Sequence, residues 1–190
     1  MSNDSQRTQK PSVIFNVPNT ISWLRIISTA VIVLLMYLNW NWAAFVLFLI
    51  ASISDYFDGY IARKTGAVTQ LGKVLDQMSD KILITSVLIC FVESGFVPGW
   101  LVVILVIRDT LVSIVRILAS ESGAIIAANM FGKIKTVSQM VLTIGLYLEL
   151  LNFSKSYMHL FNVIFIYIVA FSTILSGIIY MYQNRSYLDK

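Results

Sequence analysis

The chain has 190 residues, of which 57% are hydrophobic and only 13% charged, where a soluble domain carries roughly 25% charged residues. A water-soluble body of this length could not hide so much apolar surface. Disorder, a collagen-like fibre, a coiled coil and a disulfide-stapled secreted module are excluded too, the last because Cys90 is the single cysteine. An integral membrane protein remains, and the placement of its 14 Lys+Arg and 10 Asp+Glu, formally +4, matters more than their sum.

In chain order, residues 1–18 form a polar segment containing Arg7 and Lys10. No small-residue cleavage site follows the first apolar run, so this is not read as a cleavable signal. Beyond it come six apolar segments, 21–39, 42–62, 74–94, 98–118, 134–152 and 158–182, each near the roughly 20 residues that cross about 30 Å of hydrocarbon. The breaks are Asn39-Trp40-Asn41, Lys64-Thr65-Gly66, Ser94-Gly95 with Pro98-Gly99, Ser120 to Gly132, and Asn152 to Tyr157. Gly, Ser and Asn clusters of this kind are turn chemistry. The fold expected is an all-α integral membrane bundle of six transmembrane helices, residues 19–190, preceded by a cytoplasmic 1–18 segment.

Six spans put both termini on one face. The N-terminal tail, the 62–73 and 116–135 loops and the C-terminal tail hold almost every Lys and Arg, while the opposite face has only Lys155. The positive-inside rule makes the basic face cytoplasmic. Trp23, Trp40, Trp42 and Trp100 fall near span ends, where indoles favour the membrane interface.

Four carboxylates lie within or beside apolar segments, Asp55 and Asp58, then Asp76 and Asp80. An ionisable group inside a membrane is costly and marks a functional site by default. The spacings i,i+3 and i,i+4 put each pair on one helix face. A short loop joins the two segments, so both pairs should meet near the cytoplasmic surface. Such a cluster needs cations, and hard oxygen ligands select Mg²⁺, Mn²⁺ or Ca²⁺ over zinc, commonly shared with a substrate phosphate. Gly59, Ala62 and Gly72 flank the acids, and a helical glycine costs roughly 1 kcal/mol relative to alanine, so close approach of a ligand or a neighbouring helix is its expected reason. Arg63 lies one turn beyond the first pair, within reach of a phosphate.

The run Asp55-Tyr-Phe-Asp58-Gly59-Tyr-Ile-Ala62-Arg63, then eight residues, then Gly72-Lys-Val-Leu-Asp76-Gln-Met-Ser-Asp80 resembles the signature of the CDP-alcohol phosphatidyltransferase family at all eight specified positions. The resemblance implies a six-helix membrane enzyme, tending to homodimers, in which an alcohol hydroxyl attacks the β-phosphorus of CDP-diacylglycerol and CMP leaves. It also implies that Asp55, Asp58, Asp76 and Asp80 hold two Mg²⁺ or Mn²⁺ ions, with Asp80 the general base. Gly59, Ala62 and Gly72 would make room for the nucleotide, and Arg63 would lie near the diphosphate.

The acceptor is read from weaker signals. Arg108 and Asp109 fall mid-span in the fourth segment, Arg116 two turns on, and Gly132, Lys133 and Lys135 open the fifth. Gathered around one cavity, Arg108, Arg116, Lys133 and Lys135 would make a phosphate pocket; the competing readings are a salt bridge for Arg108 and ordinary loop charge for the lysines. Those stretches, the opening Pro18-Asn19-Thr-Ile-Ser-Trp-Leu-Arg25 and the closing Ile-Leu-Ser-Gly-Ile-Ile-Tyr at 174–180 resemble bacterial members of the family that make phosphatidylglycerophosphate from sn-glycerol 3-phosphate. Two positions depart from that subgroup, Gln77 where proline is usual and Asp109 where glutamate is usual. Phosphatidylglycerol, as in cardiolipin synthesis, and an inositol phosphate stay open as acceptors.

A transporter would place its site near the bilayer midplane, often with repeat symmetry; the acids here lie toward one face and no repeat is visible. A catalytically dead scaffold would be expected to have lost a motif aspartate, and none is lost. Nucleic acid is not an expected partner, since the basic residues hug the membrane face. His159, the only histidine, lies opposite the acids and is read as structural, and Cys90 as a small buried hydrophobe. Thr85, Ser113 and Ser172 are expected to bond helix backbone or a neighbouring helix.

Overall fold

The computed structural model describes residues 17–65, 70–121 and 130–185; within these, the side chains of 17–21, 55–65, 70–77, 120–121 and 155 lie outside the description. Among the described residues there are six helices and no strand: α1 (Val17–Tyr37), α2 (Asn41–Thr65), α3 (Gln70–Glu93), α4 (Gly99–Glu121), α5 (Met130–Leu150) and α6 (Lys155–Gln183).

Three of the helices end in the same way, at residues the sequence marks as breaks. Asn39, Gly95 and Asn152 all have positive φ, at 59°, 78° and 61°, the left-handed conformation that Gly and Asn tolerate best. After α1, the Asn39 N–H donates to Met36 O at 3.0 Å and the Trp40 N–H to Leu35 O at 2.9 Å. The pattern repeats after α3 (Gly95 to Val92, Phe96 to Phe91) and after α5 (Asn152 to Glu149, Phe153 to Leu148). This paired 5→2 and 6→1 closure satisfies carbonyls that a helix end leaves bare. After α3 its apolar contact is present as well, Phe91 against Phe96 at 6.1 Å between ring centroids. The chain thus reverses within a few residues each time, which places the ends of α1, α3 and α5 on one face of the bundle.

Helix α1 packs most extensively on α3 and also on α2; α5 packs on α6, and α6 on α4. Tyr147 of α5 is the hub of the half nearer the tight turns. Its ring lies 5.2 Å from Phe45, 5.4 Å from Phe48 and 5.0 Å from Phe91, and its hydroxyl donates to Met36 Sδ at 3.4 Å. One side chain therefore joins α1, α2, α3 and α5. Between apolar helices such packing works through dispersion contacts more than through release of water.

The bundle is apolar outside and polar in places within. Leu24, Ile27, Val31 and Leu34 of α1 are exposed, while Ser22, Arg25 and Thr29 of the same helix are buried. On α6, Ile164, Ile168 and Phe171 are exposed while Asn162, Thr173 and Ser176 are buried. Contiguous exposed apolar surface on this scale suits hydrocarbon better than water. Residues Ser156–Gln183 form a helix long and apolar enough to cross a membrane, and Ser22–Tyr37 and Asn41–Ser54 are shorter apolar helices. All four tryptophans are exposed.

The helices coincide with the six expected segments but overrun them, mostly on one face. There α1 starts at 17 rather than 21, α2 continues to 65, α3 starts at 70, α4 continues to 121 and α5 starts at 130. Hydropathy marks the stretch that suits hydrocarbon, whereas helix continues wherever propensity and neighbours allow. The overruns hold Arg63, Gly72, Gly132 and Lys133, so candidate site residues ride on helix and not on loop.

Candidate active site

On that same face, α3, α4, α5 and α6 enclose a cavity of about 530 Å³. Helix α4 offers Arg108, Asp109, Val112 and Arg116, a spacing that keeps one helical face toward the cavity. Helix α3 contributes Asp80, Lys81 and Thr85, the start of α5 contributes Gly132, Lys133, Lys135 and Thr136, and α6 contributes Tyr180. Among the described residues, the cations Lys81, Arg108, Arg116, Lys133 and Lys135 face the carboxylates Asp80 and Asp109 along its wall. The expected gathering of Arg108, Arg116, Lys133 and Lys135 around one cavity is therefore observed.

Asp109 organises the cationic wall. Its Oδ1 accepts from Arg108 Nη1 at 2.9 Å and its Oδ2 from Lys135 Nζ at 2.8 Å. The salt bridge weighed for Arg108 exists alongside its place in the cavity. Asp109 also accommodates the departure from glutamate, since the shorter carboxylate reaches both cations. Its main-chain oxygen accepts from Lys81 Nζ at 2.8 Å and from Ser113 Oγ at 2.7 Å, and Lys81 Nζ bonds Ser113 Oγ as well.

Arg108 reaches this position through a gap between two glycines. A methyl group on Gly132 would lie 3.4 Å from its guanidinium, and one on Gly177 would lie 3.1 Å from its Cγ. Its Nε donates to Ser176 Oγ at 3.1 Å. Arg116 Nε approaches the Tyr180 hydroxyl at 3.4 Å, the long limit of a hydrogen bond. The stretch at 174–180 therefore has a physical purpose: Ser176, Gly177 and Tyr180 each touch an arginine of the cavity.

The opening stretch has one too. Arg25 of α1 is only 4% exposed. Its Nη1 donates to Asp80 Oδ1 at 2.9 Å and to Ser79 Oγ at 2.8 Å. Asp80 remains 44% exposed at its side chain. A charge-assisted bond from a buried guanidinium fixes the orientation of the carboxylate it meets.

Asp55, Asp58, Gly59, Ala62 and Arg63 fall on α2, and Gly72 and Asp76 on α3; their side chains lie outside the described residues. Asp55, Asp58 and Asp76 are carboxylates like Asp80, and hard oxygen donors of that kind fit a divalent cation such as Mg²⁺. Asp80, whose side chain is described, offers a partly exposed carboxylate at the cavity wall.

Sequence reasoning gave no role to Lys81 or Arg25. Lys81 reads as one more charge beside the motif, and the Arg25–Asp80 pair spans 55 positions. Among the residues set aside, Ser113, Ser172, Cys90 and His159 behave as expected. Ser113 and Ser172 bond carbonyls of their own helices, Cys90 is buried, and His159 Nδ1 pairs with the buried Glu149 at 2.8 Å, away from the cavity.

A model of the CDP-alcohol phosphatidyltransferase family matches residues 15–175 of the chain. The chain is 33% identical over 186 residues to the CDP-diacylglycerol–glycerol-3-phosphate 3-phosphatidyltransferase of Bacillus subtilis, covering 90% of this chain and 96% of the relative. It is 34% identical over 175 residues to the enzyme of the same name from Rickettsia bellii, covering 90% and 97%. Against that from Haemophilus influenzae it is 33% identical over 175 residues, covering 88% and 92%.

Proposed function

Because the chain belongs to the CDP-alcohol phosphatidyltransferase family, we propose that it transfers the phosphatidyl group of CDP-diacylglycerol to sn-glycerol 3-phosphate, forming phosphatidylglycerophosphate and releasing CMP. The relatives named for this reaction match nearly the full chain. The observation that carries the acceptor is the cavity itself, where Arg108, Arg116, Lys133 and Lys135 converge beside Asp80. A phosphorylated acceptor uses such a cationic wall, whereas serine, choline or ethanolamine would not require one.

In this reading the acceptor phosphate rests on the cationic wall and its hydroxyl is turned toward Asp80. Asp80 takes the hydroxyl proton while the oxygen bonds to the β-phosphorus of CDP-diacylglycerol and the bond from that phosphorus to the CMP oxygen breaks. Arg25 keeps the Asp80 carboxylate in place. Asp55, Asp58, Asp76 and Asp80 would hold two divalent ions, Mg²⁺ or Mn²⁺, whose chemistry is to neutralise charge on the diphosphate and the leaving CMP. Gly59, Ala62 and Gly72 leave room for the nucleotide, and Arg63 is near the diphosphate. Asp109 stops the cations of the wall from repelling one another out of position.

The catalytic domain is residues 19–190, with 1–18 a polar cytoplasmic segment. The helices cross the cell membrane as six spans with both termini and the cavity on the cytoplasmic face. The apolar exterior, helix lengths that span about 30 Å at 1.5 Å per residue and the one-sided distribution of Lys and Arg support that topology. The enzyme is a homodimer embedded among membrane lipids.

The deciding experiment supplies purified protein with labelled CDP-diacylglycerol and Mg²⁺, and in parallel glycerol 3-phosphate, an inositol phosphate or phosphatidylglycerol. CMP release and a labelled phosphatidylglycerophosphate with the first acceptor alone is the expected result. Product with phosphatidylglycerol or inositol phosphate instead would reassign the acceptor, and no CMP with any of them would point to a transporter or scaffold.

A further inference from the structure

We infer that Lys81, the residue after the proposed base, is a further ligand of the acceptor's phosphate and helps the cavity select a phosphorylated alcohol. The inference rests on the reaction proposed above. It starts from how charge is distributed along the cationic wall. Arg108 and Lys135 share the one carboxylate of Asp109, at 2.9 Å and 2.8 Å, so part of their charge is already compensated. Lys81 is held differently. Its ammonium donates to the main-chain oxygen of Asp109 and to the hydroxyl of Ser113, both neutral acceptors, so no carboxylate within bonding distance cancels it among the described residues.

An ammonium has three N–H donors. Two are used by those tethers, which fix the nitrogen against α4, and a third is left over in a side chain that lines the cavity. A fixed cation with a donor to spare is what a phosphate oxygen requires, and a lysine serves this as a point charge with no need for a planar partner. The tethers also decide which phosphate. Asp109 and Ser113 belong to α4, and Asp109 is the same residue that arranges Arg108 and Lys135. Lys81 therefore joins the group assigned to the acceptor, even though it lies on α3 beside the motif that serves the donor. Consecutive residues on α3 then do separate work: Asp80 takes the proton and Lys81 holds the group that orients the hydroxyl delivering it.

The test is steady-state kinetics on the full-length protein, reading CMP release with each substrate varied in turn. Lys81→Met should raise KM for glycerol 3-phosphate about tenfold or more, the loss of a charged hydrogen bond, and leave KM for CDP-diacylglycerol within about twofold. Lys81→Arg keeps the charge and should recover most of the loss. Ser113→Ala keeps the lysine and removes one tether; it should raise only the acceptor KM, by about two- to fivefold, and it carries the test should Lys81→Met fail to fold. An unchanged acceptor KM in both Lys81→Met and Ser113→Ala overturns the inference, as does a donor KM that rises as far as the acceptor KM. If the parent protein works on an inositol phosphate instead, the proposed acceptor is wrong while Lys81 is tested on that phosphate in the same way. A parent that works only on phosphatidylglycerol overturns both.

Discussion

Helix α5 takes part in a polar cluster near each end, and the two are built on opposite terms. Near its start, Lys135 meets Asp109 and Arg108 in a wall where, among the described residues, cations outnumber carboxylates and open onto a cavity. Near its end, Glu149 is 5% exposed; its two oxygens are matched by His159 Nδ1 at 2.8 Å and Asn162 Nδ2 at 2.6 Å. In the second cluster both carboxylate oxygens are bonded, and Gly145 is what lets Asn162 and Phe161 come so near α5. Charge that faces a cavity is open to a ligand, whereas a carboxylate whose oxygens are bonded by the neighbouring helix holds the two helices together. Damage at the first end should therefore be read in kinetics and damage at the second in stability.

The sharpest test is Asp80→Asn. Asparagine keeps the shape and cannot take a proton, so turnover should fall by about 10²–10⁴, read as CMP release, while metal-dependent donor binding is largely retained. Full activity in this variant removes Asp80 as the base. Next comes Asp109→Ala, which leaves Arg108 and Lys135 without the carboxylate that spaces them. kcat/KM for glycerol 3-phosphate should drop about 10–100-fold, with the donor KM little changed. If acceptor binding tightened instead, Asp109 would be a competitor of the phosphate and not the organiser of its wall. Arg25→Met should act more mildly, lowering kcat about tenfold through a misplaced Asp80 while both KM values stay near those of the parent. Its stability cost, from a melting curve, should be about 1–2 kcal/mol, below that of a fully buried pair because Asp80 is 44% exposed.

The sequence made different parts of these two ends legible. The six helices were readable because apolar runs and turn residues mark them, and Asn39, Gly95 and Asn152 end helices where the breaks were read. The convergence of Arg108 with Lys135 was readable because a charge inside an apolar run needs a partner. Lys81 was not, since beside an acidic motif it resembles any boundary lysine; its bonds to Asp109 and Ser113 exist only once α3 packs on α4. Arg25 lies a whole helix hairpin away from Asp80 in sequence, so only the packing of α1 on α3 reveals the pair. The helical overruns escaped as well, because a hydropathy window stops where the apolar run ends and these helices do not.

Glu149→Gln gives the smallest expected effect on activity and, for that reason, examines the division most strictly. Glutamine matches glutamate in size but presents one oxygen and one amide nitrogen. It can accept from Asn162 Nδ2 or meet His159, and its amide then faces the partner left over. His159 is 70% exposed at its side chain and can turn to water, so the bond to the buried Asn162 is the one that should persist. The loss is then one charge-assisted contact, about 1–2 kcal/mol, seen as a lower melting temperature, with kcat and both KM values within about twofold of the parent. A tenfold fall in kcat without a shift in melting would mean that the far end of α5 reports to the cavity through the length of the helix. In that case the Glu149 cluster would be part of the working site and not a lock that holds α5 to α6.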